Sequence, residues 1–398
     1  MHDHFLHKPE WTETQSKIFQ STPNLIVSGC AGSGKTLLAC HLAIKHAKDN
    51  KVAILVYTKS LRTFVRQYID SFGDNNISVL YEFQWRSRNF PDFDLIIVDE
   101  FQDFSINDIS NVISAARKGV YLFGDIQQKL YRKNFQKEPT LNFDELLAKT
   151  TFKHINLEDN FRISEENKNF IASLYKKNSL NNSSFATTLK PKILHFESVL
   201  DEMNWLKDFL QNNITFKNIG ILLKSNESFI GGYPYRRNFR KEKVFGILEL
   251  NNFFNENNIP TTFKYKGTDR LDFTKEVNIN IMTYHSAKGL QFDCVVLPFS
   301  NYINQNRGSD NLPYVGLTRA SKQIIITYSG LVADEYSVRI EAGSFEGKVS
   351  RKNINDDLPN NNFSKVLLLT ELKKTPGFEN LNIGNIQFDL DGCDVIRS

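Results

Sequence analysis

Two α/β domains in tandem, each built on a parallel sheet, are what this 398-residue sequence predicts. Three observations carry the prediction. Short apolar runs alternate with helical patterns from Leu25 onward, a glycine turn ending in Lys-Thr follows the first run, and a polar stretch divides two such series.

In the first series the runs are Leu25 to Val27, Val52 to Val56, Leu95 to Val98 and Val120 to Phe123. Each is apolar throughout rather than alternating, the pattern of a strand covered on both faces by crossover helices. A helical pattern over Ser164 to Lys176 leads into Asn178 to Thr188, whose Asn, Ser and Thr content reads as a linker. The second series is Ile193 to Phe196, Ile219 to Leu223, Thr262 to Tyr265, Ile279 to Met282, Cys294 to Leu297 and Ile324 to Tyr328. The expected division is a first domain over residues 1–180, a second over 190–332 and a C-terminal extension over 333–398. The extension holds a polar stretch, Asn353 to Asn362, and an apolar run, Val366 to Leu369, with no role legible in either.

A content of 40% hydrophobic and 24% charged residues is that of a soluble globular protein and argues against disorder throughout. No apolar run approaches the roughly 20 residues a membrane span needs, and the N-terminus lacks a secretory apolar stretch. A cytoplasmic location and no membrane partner are expected. Cys30, Cys40, Cys294 and Cys393 show no paired metal spacing, so neither zinc nor an iron–sulfur cluster is expected. A net charge of +4 and a pI near 8.6 permit a polyanionic partner without demanding one. The clearest local patch is Tyr233 to Lys241, where cations alternate with rings suited to stacking on unpaired bases; a solvated loop has the same composition.

Chemistry concentrates at the ends of the apolar runs. Gly29-Cys30-Ala31-Gly32-Ser33-Gly34-Lys35-Thr36 follows a strand and opens a helix, the context of a Walker A phosphate cradle. Glycines let successive N–H groups converge, Lys35 reaches the β and γ phosphates of a nucleotide, and the Thr36 hydroxyl is offered to Mg²⁺. The third run ends in Asp99-Glu100, carboxylates at the C-terminal edge of a buried strand, where open α/β sheets bind ligands. In Walker B fashion, Asp99 would hold Mg²⁺ through water and Glu100 would deprotonate the attacking water. The fourth run ends in Gly124-Asp125-Ile126-Gln127-Gln128, and Gln128 is a candidate γ-phosphate sensor or a loop glutamine meeting solvent.

Taken together these residues resemble the UvrD/Rep-like branch of superfamily 1 DNA helicases and translocases. The resemblance runs through motifs in the family's order. Gln15 matches the glutamine that reads adenine, although Thr12 and Gln15 also have capping-box spacing. Asp99-Glu100-Phe101-Gln102-Asp103 is similar to the second motif, and Gly124 to Tyr131 to the third. In Leu157 to Arg162 the resemblance assigns Arg162 to the γ phosphate and Phe161 to the adenine face. In Ile281 to Phe292 it assigns Thr283 and His285 to the nucleic-acid backbone or to its coupling to ATP, and Gly289 and Gln291 to the nucleotide. Tyr314 to Ala320 supplies Arg319 as a second arginine finger, which meets the phosphate only when two lobes close. Val56 to Ser60 aligns with the Ia motif, where Tyr57 would stack on a base, Thr58 would meet a phosphate and Lys59 would also bind DNA; a strand-end tyrosine is otherwise half-buried packing.

The resemblance implies tandem RecA-like P-loop domains with an ATP cleft between them, ATP and Mg²⁺ as cofactors, and ATP hydrolysis driving 3′-to-5′ movement on single-stranded DNA. The chain departs from the pattern in several places. Leu37 replaces an adenine-sandwiching arginine, Gln291 replaces a glutamate, and Lys133 stands where a base-stacking tryptophan is usual. Both accessory subdomains are missing or vestigial: only Leu61 to Asp94 separates the Ia motif from Leu95, and hardly any chain separates Gly267 from Val277. A duplex junction or a protein partner has two candidate contacts, the segment 231–243 and the C-terminal extension. The competing expectation is an ATP-gated binding subunit that switches a nuclease or other effector without processive unwinding.

Overall fold

The computed structural model describes residues 11–30, 32–73, 76–89, 91–125, 143–158, 163–175, 189–196, 198–213, 215–231, 242–300, 312–329, 386–388 and 395–397. Ala31, Gln128, Lys133, Phe161, Arg162, Cys393, the linker, most of the 231–243 segment and nearly all of the extension lie outside these residues.

The first lobe comprises α1 (Glu13–Gln20), β1 (Leu25–Gly29), α2 (Lys35–His46), β2 (Val52–Val56), α3 (Lys59–Asp70), β3 (Ile77–Tyr81), α4 (Glu82–Ser87), β4 (Phe93–Asp99), α5 (Ile106–Ala115), β5 (Ala116–Gly124), α6 (Phe143–Lys149) and β6 (Lys153–Leu157). Its six strands run parallel in the order β3-β2-β4-β5-β1-β6. Alternation along β2 explains the continuous apolar run. Val52, Ile54 and Val56 join the core under α2 and α3, while Ala53 and Leu55 join the core on the opposite face.

The sequence reading missed β3 and β6, the two edge strands. In β6, Lys153, His154 and Asn156 are exposed, so no apolar run marks it.

The second lobe begins with α7 (Glu165–Tyr175) and continues through β7 (Lys192–Phe196), α8 (Val199–Gln211), β8 (Asn218–Leu223), β9 (Phe229–Gly231), β10 (Glu242–Val244), α9 (Ile247–Glu256), β11 (Thr262–Tyr265), β12 (Thr268–Asp269), β13 (Asn278–Thr283), β14 (Phe292–Leu297), α10 (Leu312–Leu317) and β15 (Ala320–Ser329). Its seven-stranded sheet has the order β12-β11-β13-β8-β14-β15-β7 and is parallel except for β12 against β11. Two parallel sheets with helices on both faces are the tandem RecA-like arrangement the sequence predicts. Farther on, β16 (Ile386–Phe388) pairs with β17 (Val395–Arg397).

Helix α7, which the sequence reading places before the linker, packs on the second sheet. Phe170 and Ile171 of α7 lie in one apolar cluster with Met282 and Ile324, and Asn167 Nδ2 and Ser164 N both donate to Ser321 O. An amphipathic pattern predicts a helix but not which sheet it covers. The segment over 231–243 leaves and rejoins the lobe through the antiparallel pair β9 and β10.

Where the sequence reading finds a subdomain missing, β11 and β12 turn at Lys266-Gly267 and the following residues fasten to α3 of the first lobe. Thr63 Oγ1 donates to Asp269 Oδ2 at 2.7 Å. The Gln67 amide donates to Leu271 O at 3.2 Å and accepts from Phe273 N at 2.9 Å, and Phe273 packs edge-on against Phe64. Among the described residues no helix is long and apolar enough to cross a membrane.

Candidate nucleotide site between the lobes

The turn after β1 is built as the sequence predicts. Gly34 takes φ 82 as it opens α2, a left-handed value that costs an L side chain roughly 1–2 kcal/mol. A Cβ on Gly29 would stand 2.7 Å from Ser33 Oγ and 2.9 Å from Leu157 Cβ, so glycine is needed for the loop to fold back on itself. Lys35 is buried. Its Nζ donates to Gly29 O at 2.9 Å, Cys30 O at 2.7 Å and Ser33 Oγ at 3.4 Å, which centres the ammonium in the loop.

Gln15 is engaged at both ends of its side-chain amide. With Thr12 it forms a capping box, Gln15 N donating to Thr12 Oγ1 at 3.2 Å and Thr12 N to Gln15 Oε1 at 3.1 Å. Its other amide end donates to Ser33 O at 3.1 Å, pinning α1 to the loop.

Asp99 and Glu100 stand at the end of β4, which β5 separates from β1. Thr36 Oγ1 donates to Asp99 Oδ2 at 2.6 Å, so the hydroxyl and carboxylate expected to share a cation are in contact. Asp99 Oδ1 accepts from Glu100 N at 3.0 Å. Glu100 itself has φ 61, a left-handed conformation that turns its side chain off the strand line, at a cost of about 1–2 kcal/mol that its neighbours must offset.

Burial and, after it, the charge of Glu100 push Asp99 up to about 7. For Glu100, burial acts upward, but the charges of Lys288, Lys35 and Arg319 and the Gln102 hydrogen bond outweigh it, so its carboxyl lies below the usual range. Glu100 is therefore the ionised member of the pair. A crowded pair of carboxylates with a hydroxyl alongside suits a hard dication.

The raised Asp99 value carries a sign. Between about pH 4 and 7 the folded chain holds a proton that the unfolded chain has released, so this group's contribution to stability falls as pH rises. The stability of the protein relative to Asp99→Asn is expected to decline across that window by up to about 1.4 kcal/mol per pH unit. Chemical denaturation of both at pH 5 and 7.5 checks it; wild type gaining stability relative to Asp99→Asn as pH rises contradicts the assignment.

The second lobe brings its own charges to the same place. Lys288 Nζ pairs with Asp103 Oδ2, and both side chains are at most 1% exposed. Arg319, 1% exposed, donates from Nε to Val315 O at 3.0 Å and from Nη2 to Thr318 Oγ1 at 3.2 Å. Burial lowers its pKa, opposed by Glu100, Asp125 and Tyr314, and a guanidinium stays charged through such a shift. Glu100 thus lies in the field of Lys35 from the first lobe and of Lys288 and Arg319 from the second. Gly289, at φ 80, closes the contact: a Cβ there would stand 2.7 Å from Leu61 Cδ2 of α3.

The remaining assigned residues are more dispersed. Tyr57 is half-buried with its ring edge-on to Phe104 at 5.6 Å, Thr58 Oγ1 caps α3 by accepting from Leu61 N at 3.2 Å, and Lys59 lies over the Tyr81 ring at 5.4 Å. Thr283 Oγ1 donates to Ser286 Oγ at 3.1 Å at the end of β13, with His285 exposed beside it. Gln291 is exposed, its carbonyl accepting from Asn218 Nδ2 at 2.8 Å. Sequence reasoning assigned no role to Gln102, Asp103, Asp125 or Lys288. Asp103 and Lys288 lie 185 residues apart, so their opposite charges are the only signal, and nothing in the spacing pairs them.

Residues 23–297 match a family model described as Schlafen group 3, DNA/RNA helicase domain, and residues 278–327 match one described as UvrD-like helicase C-terminal domain. No curated protein matches the chain. Similar solved structures include the crystal structure of Arterivirus nonstructural protein 10 (helicase), at 15% identity and TM-score 0.41 over 82% of this chain and 63% of that one. Another is the complex of that helicase with DNA, at 13% identity and TM-score 0.39 over 82% and 65%. The chain spans less than two thirds of the length of either.

Proposed function

Because the chain belongs to the Schlafen group 3 DNA/RNA helicase-domain family, whose match takes in residues 23–297, we propose that it is an ATP-driven motor moving 3′ to 5′ on single-stranded DNA. The family match supports a nucleotide-triphosphatase helicase of superfamily 1; that activity, with nucleotide choice, polarity and DNA preference, is the proposal. One observation carries it: Glu100 stands in the field of Lys35 from its own lobe and of Lys288 and Arg319 from the other. Hydrolysis is then conditional on closure over the nucleotide, and reopening on hydrolysis, which is what a motor needs.

In this reading Lys35 holds the terminal phosphates, and Glu100 takes the proton of the attacking water. Arg319, with Arg162 and Gln128, stabilises the developing charge. Thr36 and Asp99 hold Mg²⁺, which supplies charge neutralisation on the phosphates when bound. Gln15, Phe161, Gly289 and Gln291 face the nucleoside, Gln15 exchanging its Ser33 bond to do so. Tyr57, Thr58, Lys59, Lys133, Thr283 and His285 contact the strand through backbone and ring faces, without sequence readout.

A second reading, an ATP-gated clamp that switches a nuclease or other effector, is favoured by the fastening of Asp269, Leu271 and Phe273 to α3, which ties the lobes together. One experiment separates the two. For a motor, ATPase stimulation is expected to rise with oligonucleotide length and saturate, and 3′-tailed duplexes are expected to be displaced faster than 5′-tailed ones. Stimulation indifferent to length, with no displacement of either substrate, indicates the clamp.

A further inference from the structure

We infer that Gln102 is a positioning residue that holds the Glu100 carboxylate and ties it to the backbone at the end of β5. The inference rests on the reading of Glu100 as hydrolytic base. Gln102 lies in the 3₁₀ turn Phe101–Asp103 and is 3% exposed. Its Nε2 donates to Glu100 Oε2, while its Oε1 accepts from the Asp125 N–H at 3.0 Å. The two partners fix which end is which, since a backbone N–H calls for an oxygen and a carboxylate calls for a donor.

No other side chain of this length serves both ends. An ionised glutamate has no donor, methionine offers neither group to these partners, and asparagine is a methylene too short to span them. Gly124 supplies an independent observation. A Cβ there would stand 2.6 Å from Phe101 Cδ1 and inside contact distance of Gln102 Oε1, so the missing side chain is what lets the amide reach the strand end.

The consequence is a mechanical link. Asp125 is the last described residue before the segment carrying Gln128 and Lys133, and its charge also acts on Arg319. Any shift of the β5 end is passed through one rigid amide to Glu100, whose left-handed backbone is held by its surroundings. Gln102 thereby connects the segment expected to meet phosphate and nucleic acid with the group expected to activate water.

The test compares full-length wild type with Gln102→Glu, which keeps the shape and one bond, and Gln102→Met, which keeps neither bond. Binding of a non-hydrolysable ATP analogue, KM and kcat for ATP, and stimulation by a single-stranded oligonucleotide are measured. Expected are analogue affinity and KM within about twofold of wild type, with kcat at least tenfold lower and stimulation largely lost in both variants. Gln102→Asn is expected not to rescue. Wild-type kcat and stimulation in Gln102→Glu, or a change confined to KM, overturns the inference; if Gln102→Met fails to fold, Gln102→Glu decides alone. Glu100→Gln is run beside them: full hydrolysis there removes the base assignment itself, whereas an inactive Glu100→Gln with unaffected Gln102 variants removes only the link.

Discussion

Glu100→Gln is expected to bind ATP within about twofold of wild type and to hydrolyse it about 10³-fold more slowly. General-base catalysis contributes roughly 10²–10⁴-fold, and this site is arranged to use it. The carboxylate is buried, which by itself favours the protonated form, yet Lys288, Lys35 and Arg319 together keep it ionised. Replacing it by an amide leaves the fold of the turn and the Lys35 cradle in place, since Gly29 O and Cys30 O still accept from Lys35 Nζ. What is lost is the acceptor for the water proton. Single-turnover hydrolysis and equilibrium binding of a fluorescent nucleotide separate the two effects. Weakened binding with unchanged chemistry would assign Glu100 to holding the nucleotide instead.

The second large effect concerns Lys288. Lys288→Met leaves Asp103 buried and charged at 0% exposure, and removing one partner of such a pair costs about 3–5 kcal/mol. The same change takes from Glu100 the largest of the charges holding it ionised, so hydrolysis is expected to fall with stability. The double variant Lys288→Met/Asp103→Leu is expected to recover most of the lost stability, because two apolar side chains need no counter-charge. It is not expected to recover hydrolysis. Denaturant unfolding of the single and double variants gives the coupling energy; a value below about 0.5 kcal/mol would mean that the pair does not join the lobes.

Much of the fold was legible because buried parallel strands leave continuous apolar runs, and these run along β1, β2, β4 and β5 with errors only at their ends. Edge strand β6 escaped because one-sided pairing relaxes the demand for apolar residues, whereas β3 carries buried Ile77, Val79 and Leu80 and was simply not read as a strand. Helix α7 was visible as a helix, yet its partner sheet was not, since Phe170 and Ile171 would cover any apolar face equally well. The fastening of Asp269, Leu271 and Phe273 to Thr63 and Gln67 was hidden for a related reason: polar residues on an amphipathic helix read as solvent-facing.

By itself the sequence determined the glycine turn between β1 and α2, the strand-end carboxylates and the alternation that makes two sheets. These are local matters: glycine dihedrals, strand burial and the short distance between a strand end and the turn that follows it. Only the tertiary structure decided that Lys288 pairs with Asp103, that Gln102 joins Glu100 to Asp125, and that Lys288 is the largest of the charges acting on Glu100. Charges and amides act through space and carry no periodicity, so their partners are chosen by how the lobes dock rather than by where they fall in the chain.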